Sequence, residues 1–295
     1  MLRLIQLLAL LCLMNAANVS YAQGYERIIA LAPHTVELLF SMGAGERIIA
    51  TTQFADYPEQ AKNIQRVGGY HGLDIEAILA LKPDLIIAWE GGNKEQDILR
   101  LEELGLNVVR GKTETLDRLG PHIRELGTLL SIENKADALA SEFEAALAQR
   151  RAQYAQEEPV AFFYQLWLEP LRTLTANSWV NDTLTVCGGE NVFAEHAMSD
   201  YPQVSMESVL LKQPEAIVVP SHHGDVIATG EMWLNWPEVP AVKNAHIFYI
   251  DGDILHRFSL RLLEGIDAVC EAFDQVRAQR VKVSEEHRKL TQEAN

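Results

Sequence analysis

The sequence predicts an α/β protein made of two Rossmann-like lobes with parallel sheets, joined by one long rigid helix. An uninterrupted helix-forming stretch lies in mid-chain, a similar sequence unit occurs on each side of it, and apolar strand-like runs alternate with helical patterns elsewhere. Strands that alternate with helices are typical of parallel sheets.

The mid-chain helix is predicted over 133–156, ENKADALASEFEAALAQRRAQYAQ. This stretch has no Gly or Pro and is rich in the strongest helix formers. Leu139, Phe143 and Leu147 recur every fourth residue and predict one apolar face. The helix would be roughly 36 Å long, about twice an ordinary one. It could be one more layer of a single domain or a backbone between two lobes, and the flanking segments favour the second interpretation.

The two flanking segments resemble each other at a constant offset. Residues 74–88 read DIEAILALKPDLIIA, and residues 205–219 read SMESVLLKQPEAIVV. In each copy a capping residue begins a short helix, a Pro ends it, and a continuous apolar run follows, as in a buried parallel strand. Such a match on both sides of the helix predicts two similar lobes.

The remaining elements follow in order along the chain. In the first half, the apolar runs at 27–32, 47–51 and 107–109 predict further strands, with a helix after Pro33 and another after Lys94. In the second half, strands are predicted at 159–164 and 245–250, and a final helix at 259–279. The predicted organisation is a signal peptide at 1–22, a first lobe at 23–132, a linking helix at 133–157, a second lobe at 158–280 and a charged, frayed tail at 281–295.

The N-terminus reads MLRLIQLLALLCLMNAANVSYAQ, one Arg followed by an apolar run and small residues. The run is shorter than a membrane span and predicts a secretory signal peptide. No small residue precedes Cys12, which argues against a lipid anchor there. Two cysteines remain after processing, Cys187 and Cys270, and an even number in an exported protein suggests one disulfide, with two separate buried thiols as the alternative. The mature chain has 24 basic and 41 acidic residues, a charge of −17, which disfavours nucleic acid as a partner.

Aromatic residues are concentrated in the loops that follow the predicted strands of both lobes. They are Phe54, Tyr57, Tyr70, Trp89, Trp167, Tyr201, Trp233, Trp236 and Phe258. Ligands of parallel α/β sheets bind beyond the carboxyl ends of the strands. Although single aromatics are more often core residues, this concentration predicts a cleft for a large, flat, partly apolar ligand. Asp253 and Arg257 could hydrogen-bond polar groups of such a ligand, or could form only a surface ion pair.

Histidines gather in the same loops, and they raise the alternative of a metal site. They are His34, His71, His222, His223 and His256. No HxH or HxxxH pair occurs among them, so metal binding is the minor interpretation. The chain also has no GxSxG, P-loop, GxGxxG or HExxH motif, and no motif argues for catalysis.

Glu76 and Glu207 fall in the first turns of the two repeated helices. One such Glu would be explained by favourable interaction with the helix dipole, worth about 0.3–1 kcal/mol. A matched pair, one in each lobe, suits docking to a two-fold partner that carries basic residues.

Four motifs carry a resemblance to a known family. They are DYPEQA at 56–61, GLDIEAILALKPDLIIAWEGGN at 72–93, VCGGEN at 186–191 and YPQVS at 201–205. Over about residues 27–278 the chain resembles the vitamin B12-binding members of the helical-backbone family of periplasmic solute-binding proteins, which serve ABC importers. The KPDLI strand is shared with relatives that carry haem or siderophores, whereas WxGGN, VCGGEN and the paired glutamates are closer to the vitamin B12 binders.

The resemblance implies a class III periplasmic binding protein fold with little closure on binding. It also implies a disulfide between Cys187 and Cys270, and docking of Glu76 and Glu207 to arginines of two permease subunits. Phe54 stands where the family has a ligand-contacting Tyr. Together with the aromatic pattern, the expected ligand contacts are Phe54, Tyr70, Trp89, Trp167, Tyr201, Asp253 and Arg257.

The expected function is therefore capture of cobalamin or a related corrinoid in the periplasm and its delivery to an inner-membrane ABC transporter. The partners would be the permease dimer and its ATPase subunits, and the protein would be a monomer without enzymatic activity, cofactor or resident metal. The first alternative is a carrier of the same class for haem or a ferric siderophore. The second is a secreted metal-dependent enzyme built on the strand-end histidines.

Overall fold

The computed structural model describes residues 24–112, 115–195, 199–221 and 230–293. The expected signal peptide and Cys12 lie outside these residues, as do His222 and His223. Within the described residues, no helix combines the length and the apolar character needed to cross a membrane.

Two parallel sheets form the framework. The first sheet comprises β1 (Ile28–Ala30), β2 (Ile48–Thr51), β3 (Gln65–Arg66), β6 (Leu85–Glu90) and β7 (Val108–Lys112), and a separate small hairpin comprises β4 (Gly68–Gly69) and β5 (Gly72–Leu73). The second sheet comprises β8 (Val160–Tyr164), β9 (Gly189–Asn191), β10 (Ala216–Ser221) and β11 (Ile247–Asp251). The strand order is β3-β2-β1-β6-β7 in the first sheet and β11-β10-β8-β9 in the second. All strand pairs within these two sheets are parallel.

Helices connect and cover these strands, which confirms the α/β fold class. They are α1 (Pro33–Ser41), α2 (Ile75–Leu81), α3 (Glu95–Glu103), α4 (Leu119–Leu129), α5 (Glu133–Tyr154), α6 (Trp179–Val186), α7 (Met206–Lys212), α8 (Pro240–Lys243), α9 (Gly252–Leu255) and α10 (Leu262–Glu293). We call the first sheet with α1–α4 the first lobe, and the second sheet with α6–α10 the second lobe. The exact domain limits expected from the sequence stay predictions.

The repeat seen in the sequence has the same structure in both lobes. Helices α2 and α7, and the strands β6 and β10 that follow them, begin and end at positions 131 residues apart. Asp74 and Ser205 cap the two helices by accepting a backbone N–H three residues later. Lys82 and Gln213 then end them in the left-handed conformation, each with φ of 49°. Each repeated strand lies at an inner position of its sheet, so the repeat includes the centre of each lobe.

The linking helix α5 ends at Tyr154, two residues before the predicted end. Phe143 and Leu147 of its predicted stripe are buried, and Leu139 is partly buried. One continuous apolar core contains residues of both sheets together with α5 and α10, for example Ile28 and Phe162. Because the lobes share this core, they are packed together rather than joined by a flexible tether.

The C-terminal helix corrects one expectation. We expected residues after about 280 to be frayed, but α10 continues to Glu293. The stretch from 280 to 293 has no Gly or Pro and is rich in good helix formers, which explains its regular conformation. The expected disulfide is confirmed: it joins Cys187, directly after α6, to Cys270 in α10.

Candidate functional site

A cleft of about 760 Å³ lies between the lobes at the carboxyl ends of the strands. The first lobe contributes the ends of β6 and β7. The second lobe contributes the segment after β8, the start of α6, the loop at 199–201 and His256 directly after α9. Its lining residues are Trp89, Glu90, Gly91, Lys112, Leu166, Trp167, Arg172, Trp179, Val180, Ser199, Asp200, Tyr201 and His256. This is the position at which parallel α/β sheets bind ligands.

The structure brings three of the predicted aromatic residues together in this cleft. Trp89 lies on the first lobe, and Trp167 and Tyr201 lie on the second. The Trp167 side chain is 61% exposed, whereas the other two are partly buried, so the walls offer aromatic surface without forming a closed core. The His34 ring packs edge-on against Trp89, with ring centroids 4.9 Å apart, and holds its orientation.

Several lining residues have no signal in the sequence, and Arg172 and Trp179 are the largest of them. Arg172 pairs with Trp167 through backbone hydrogen bonds, and its Nη1 donates to the Tyr201 carbonyl oxygen at 2.9 Å. Its guanidinium carbon lies 5.9 Å from the Trp167 ring centroid. Arg172 therefore joins the two aromatic segments of the second-lobe wall. No local motif marks this residue, because its role depends on two segments that meet only in the fold.

The other expected ligand contacts are not among these lining residues, and their contact with a ligand stays a prediction. Phe54 and Tyr70 are 53% and 67% exposed. The Tyr70 ring lies against the His71 ring, with centroids 3.7 Å apart and the ring planes tilted by 37°. Asp253 and Arg257 are also absent from the lining and belong to an ion-pair cluster. A direct contact between Arg257 and a ligand would require one of its carboxylate partners to give way.

This cluster, which we call the interlobe cluster, consists of Glu37, Asp56, Asp253, Arg257, Ser259 and Arg261. Arg257 Nη1 lies 3.0 Å from Glu37 Oε1 and 2.8 Å from Asp56 Oδ1, and its Nη2 lies 2.9 Å from Asp253 Oδ2. Arg261 Nη1 lies 3.3 Å from the same Glu37 oxygen. Because Glu37 and Asp56 belong to the first lobe and both arginines to the second, the cluster joins the lobes beside the cleft.

Burial decides the energetics of the interlobe cluster. The side chains of Glu37 and Arg257 are only 2% and 7% exposed. Burial disfavours the charged guanidinium, but hydrogen bonds to Asp56 and Glu37 hold the pKa of Arg257 above its ordinary value. The Ser259 hydroxyl also donates to Glu37 Oε2. In the sequence, the possible ion pair of Asp253 and Arg257 pointed to part of this cluster, whereas the signal for Glu37 is only an acidic residue within the apolar helix stretch VELLF.

The histidines that the structure describes have separate environments. His34 is 4% exposed, and burial, with smaller contributions from His122 and Arg257, lowers its pKa to about 3. His256 lines the cleft, and its Nε2 lies 2.7 Å from the Tyr164 hydroxyl. Burial raises the pKa of this phenol, so it remains protonated. Within the described part of the chain, no three His, Cys, Asp or Glu side chains are grouped to hold a metal ion.

Glu76 and Glu207 occupy the second positions of α2 and α7, one on each lobe, and both are exposed. Hydrogen bonds with its own backbone N–H and with Ser205 lower the pKa of Glu207, so it carries a negative charge at neutral pH. Neither carboxylate lines the cleft.

Comparison with known proteins places this geometry in a family. The periplasmic binding protein family matches residues 28–254. The vitamin B12-binding protein of Vibrio campbellii is 37% identical over 266 residues, which cover 90% of this chain and 95% of that protein. A vitamin B12-binding protein of Vibrio cholerae is 39% identical over 246 residues, covering 83% of this chain and 88% of the relative.

Solved structures give the same result. The crystal structure of the periplasmic vitamin B12-binding protein BtuF of Vibrio cholerae is 38% identical, has a TM-score of 0.78, and covers 86% of this chain and 98% of that chain. A periplasmic haem-binding protein of Roseiflexus has a TM-score of 0.75 at 23% identity over 84% of this chain and 99% of its own, and shares the fold. This chain is therefore a member of the periplasmic binding protein family.

Proposed function

We propose that this protein captures cobalamin or a related corrinoid between its lobes in the periplasm and delivers it to an inner-membrane ABC transporter. It would act as a carrier and not as an enzyme. The observation that carries the proposal is the interlobe cleft, whose aromatic walls come from both lobes, in a chain 37–39% identical to vitamin B12-binding proteins.

The chemistry of the cleft suits a ligand of this kind. Trp89, Trp167 and Tyr201 offer apolar faces to a large flat ring system. Lys112, Arg172 and Asp200 lie in the same lining and could pair with polar groups around such a ring. A pocket with mostly apolar walls and a few placed polar groups is the usual form of a small-molecule site.

The lobes are expected to close little around the ligand. They share one apolar core, and the interlobe cluster adds buried ion pairs beside the cleft. A large closure would have to separate charges that are costly to leave buried without partners. Binding would therefore depend on a cleft that is already formed.

The test of the cargo is the absorption spectrum of protein purified from cells supplied with cobalamin, followed by calorimetric titration of ligand-free protein with cobalamin. We expect the corrinoid spectrum and saturable binding of one cobalamin. A haem or ferric-siderophore spectrum, with no heat on adding cobalamin, would contradict the proposed cargo while leaving a carrier function. Stoichiometric metal in the purified protein without either chromophore would instead favour the metal-dependent enzyme.

For delivery, we propose that Glu76 and Glu207 dock on basic residues of the two permease subunits, which act with their ATPase subunits. The support is their matched, exposed positions on the two lobes, outside the cleft lining. Changing both to Arg should keep cobalamin affinity within about twofold but abolish uptake, since like charges in contact cost several kcal/mol. If the double variant takes up cobalamin normally, both residues only stabilise the helix dipole. If the double variant folds but no longer binds cobalamin, both residues contact the ligand instead.

A further inference from the structure

An exposed leucine follows the exposed glutamate on each of the two repeated helices. On α7, Leu211 comes four residues after Glu207 and is 85% exposed, the largest value among the described bulky apolar side chains. On α2, Leu79 comes three residues after Glu76 and is 38% exposed. Residues three or four apart lie on the same face of a helix. Each lobe therefore presents one carboxylate and one leucine side by side.

Packing against the lobe does not account for Leu211. Val209 is completely buried and anchors α7 on the second sheet. Residues two apart in a helix point in nearly opposite directions, so Leu211 is directed away from that core. A single exposed leucine is ordinary on a protein surface. Its position one turn from Glu207 is the unusual feature, and on the other lobe Leu79 likewise lies about one turn from Glu76, although at a different repeat position.

We propose that Leu211 and Leu79 are apolar anchors of the surface that docks on the transporter, each entering a shallow apolar depression beside the basic residue that meets the neighbouring glutamate. This inference rests on the proposed delivery function and identifies the residues that hold the complex together. Exposed ion pairs contribute little to affinity, whereas a buried apolar side chain at the centre of a contact contributes much of it. The glutamates would then orient the encounter, and the leucines would slow dissociation.

The occupant is a membrane permease dimer and not a second copy of this chain. The mature protein carries a charge of −17, and both anchors sit beside carboxylates, so two copies would bring like charges together at this surface. Two basic permease subunits related by a two-fold axis would meet one glutamate and leucine pair each. The anchors do not occupy equivalent repeat positions, since the residue that matches Leu211 in the first lobe is Ala80. Leu211 should therefore contribute more than Leu79.

The test measures docking of the ligand-loaded protein on the permease–ATPase complex from the same organism, reconstituted in nanodiscs. We expect Leu211→Ala to raise the docking Kd roughly tenfold or more, mainly through faster dissociation, with cobalamin affinity unchanged. Leu79→Ala should have a smaller effect. Leu234→Ala is the matched control, because Leu234 is 64% exposed but lies outside α2 and α7, and it should dock as the unchanged protein does.

Two results would overturn the inference. The first result is that Leu211→Ala docks normally while the double change of Glu76 and Glu207 to Arg abolishes docking. The leucines would then not contribute to docking, and the proposed delivery function would stand. The second result is that the unchanged protein sediments as a dimer and Leu211→Ala sediments as a monomer. The leucine would then lie in a contact between two copies of this chain. A docking Kd raised roughly tenfold or more in Leu211→Ala, with normal docking by Leu234→Ala and unchanged cobalamin affinity, is the supporting result.

Discussion

Replacing Glu37 with glutamine should strongly destabilise the folded protein, because this carboxylate is the most deeply buried charge of the interlobe cluster. The change keeps the shape of the side chain but removes its charge. Arg257 and Arg261 would then face a neutral amide in a site where Glu37 is 2% exposed. Removing one partner of a buried ion pair usually costs 3–5 kcal/mol, since the other charge is left without compensation.

The remaining geometry places the expected loss at the lower end of that range. Arg257 keeps Asp56 at 2.8 Å and Asp253 at 2.9 Å, and the glutamine oxygen can still accept one hydrogen bond. We therefore expect the free energy of unfolding to fall by about 3 kcal/mol. For a chain of this size that corresponds to a decrease in Tm of about 6 °C or more. Ser259→Ala, which removes only one hydroxyl donor to Glu37, should cost about 1 kcal/mol.

The assay is urea unfolding of the mature protein at pH 7, followed by circular dichroism, with the thermal midpoint as a second measurement. Glu76→Gln is the matched control, because it makes the same chemical change on an exposed residue, and it should change stability by less than about 0.5 kcal/mol. A loss below about 1 kcal/mol for Glu37→Gln would refute the reasoning. The cluster would then contribute little to stability despite its burial, and shared apolar packing would hold the lobes together.

Three further predictions follow from individual contacts. The pKa of His34 is 6.5 in the unfolded chain and about 3 in the folded protein. The contribution of His34 to the free energy of unfolding is therefore complete above pH 6.5 and falls by about 1.4 kcal/mol per pH unit below it. His34→Asn should make the loss between pH 6.5 and 4 shallower in urea midpoints, and an unchanged slope would contradict the assignment. Replacing both Cys187 and Cys270 with Ser should lower the unfolding free energy by roughly 4.5 kcal/mol for the 83-residue separation, and two free thiols in non-reduced protein would remove this expectation. Trp89→Ala should raise the cobalamin Kd about 30-fold in calorimetry, whereas Tyr249→Ala, outside the cleft, should not change it.

Local sequence patterns predicted most of the framework. The helix at 133–154, the repeated helix and strand, and their capping residues depend on neighbours within a few positions. Apolar runs likewise marked most strands of both sheets, but not β3 and β9, which have no apolar run. The main local error was the end of the chain, where charge density suggested fraying although the residues themselves favour a helix.

The candidate site was only partly predictable. Aromatic residues after strands predicted a cleft, and Trp89, Trp167 and Tyr201 meet there. Phe54 and Tyr70 have the same pattern but are not among the lining residues, so their contact with a ligand stays a prediction. A position after a strand places a residue at one edge of a sheet, but the sequence alone does not set the direction of the loop that carries it.

The sequence by itself therefore determined the fold class, the two-fold repeat and the number of cysteines available for one disulfide, because these depend on composition and short-range periodicity. Only the tertiary structure decided which side chains share the cleft and which ions pair. Glu37 and Arg257 are 220 residues apart along the chain and 3.0 Å apart in space. No local pattern specifies such a pair, because its energy arises only when packing of the two lobes removes both charges from water.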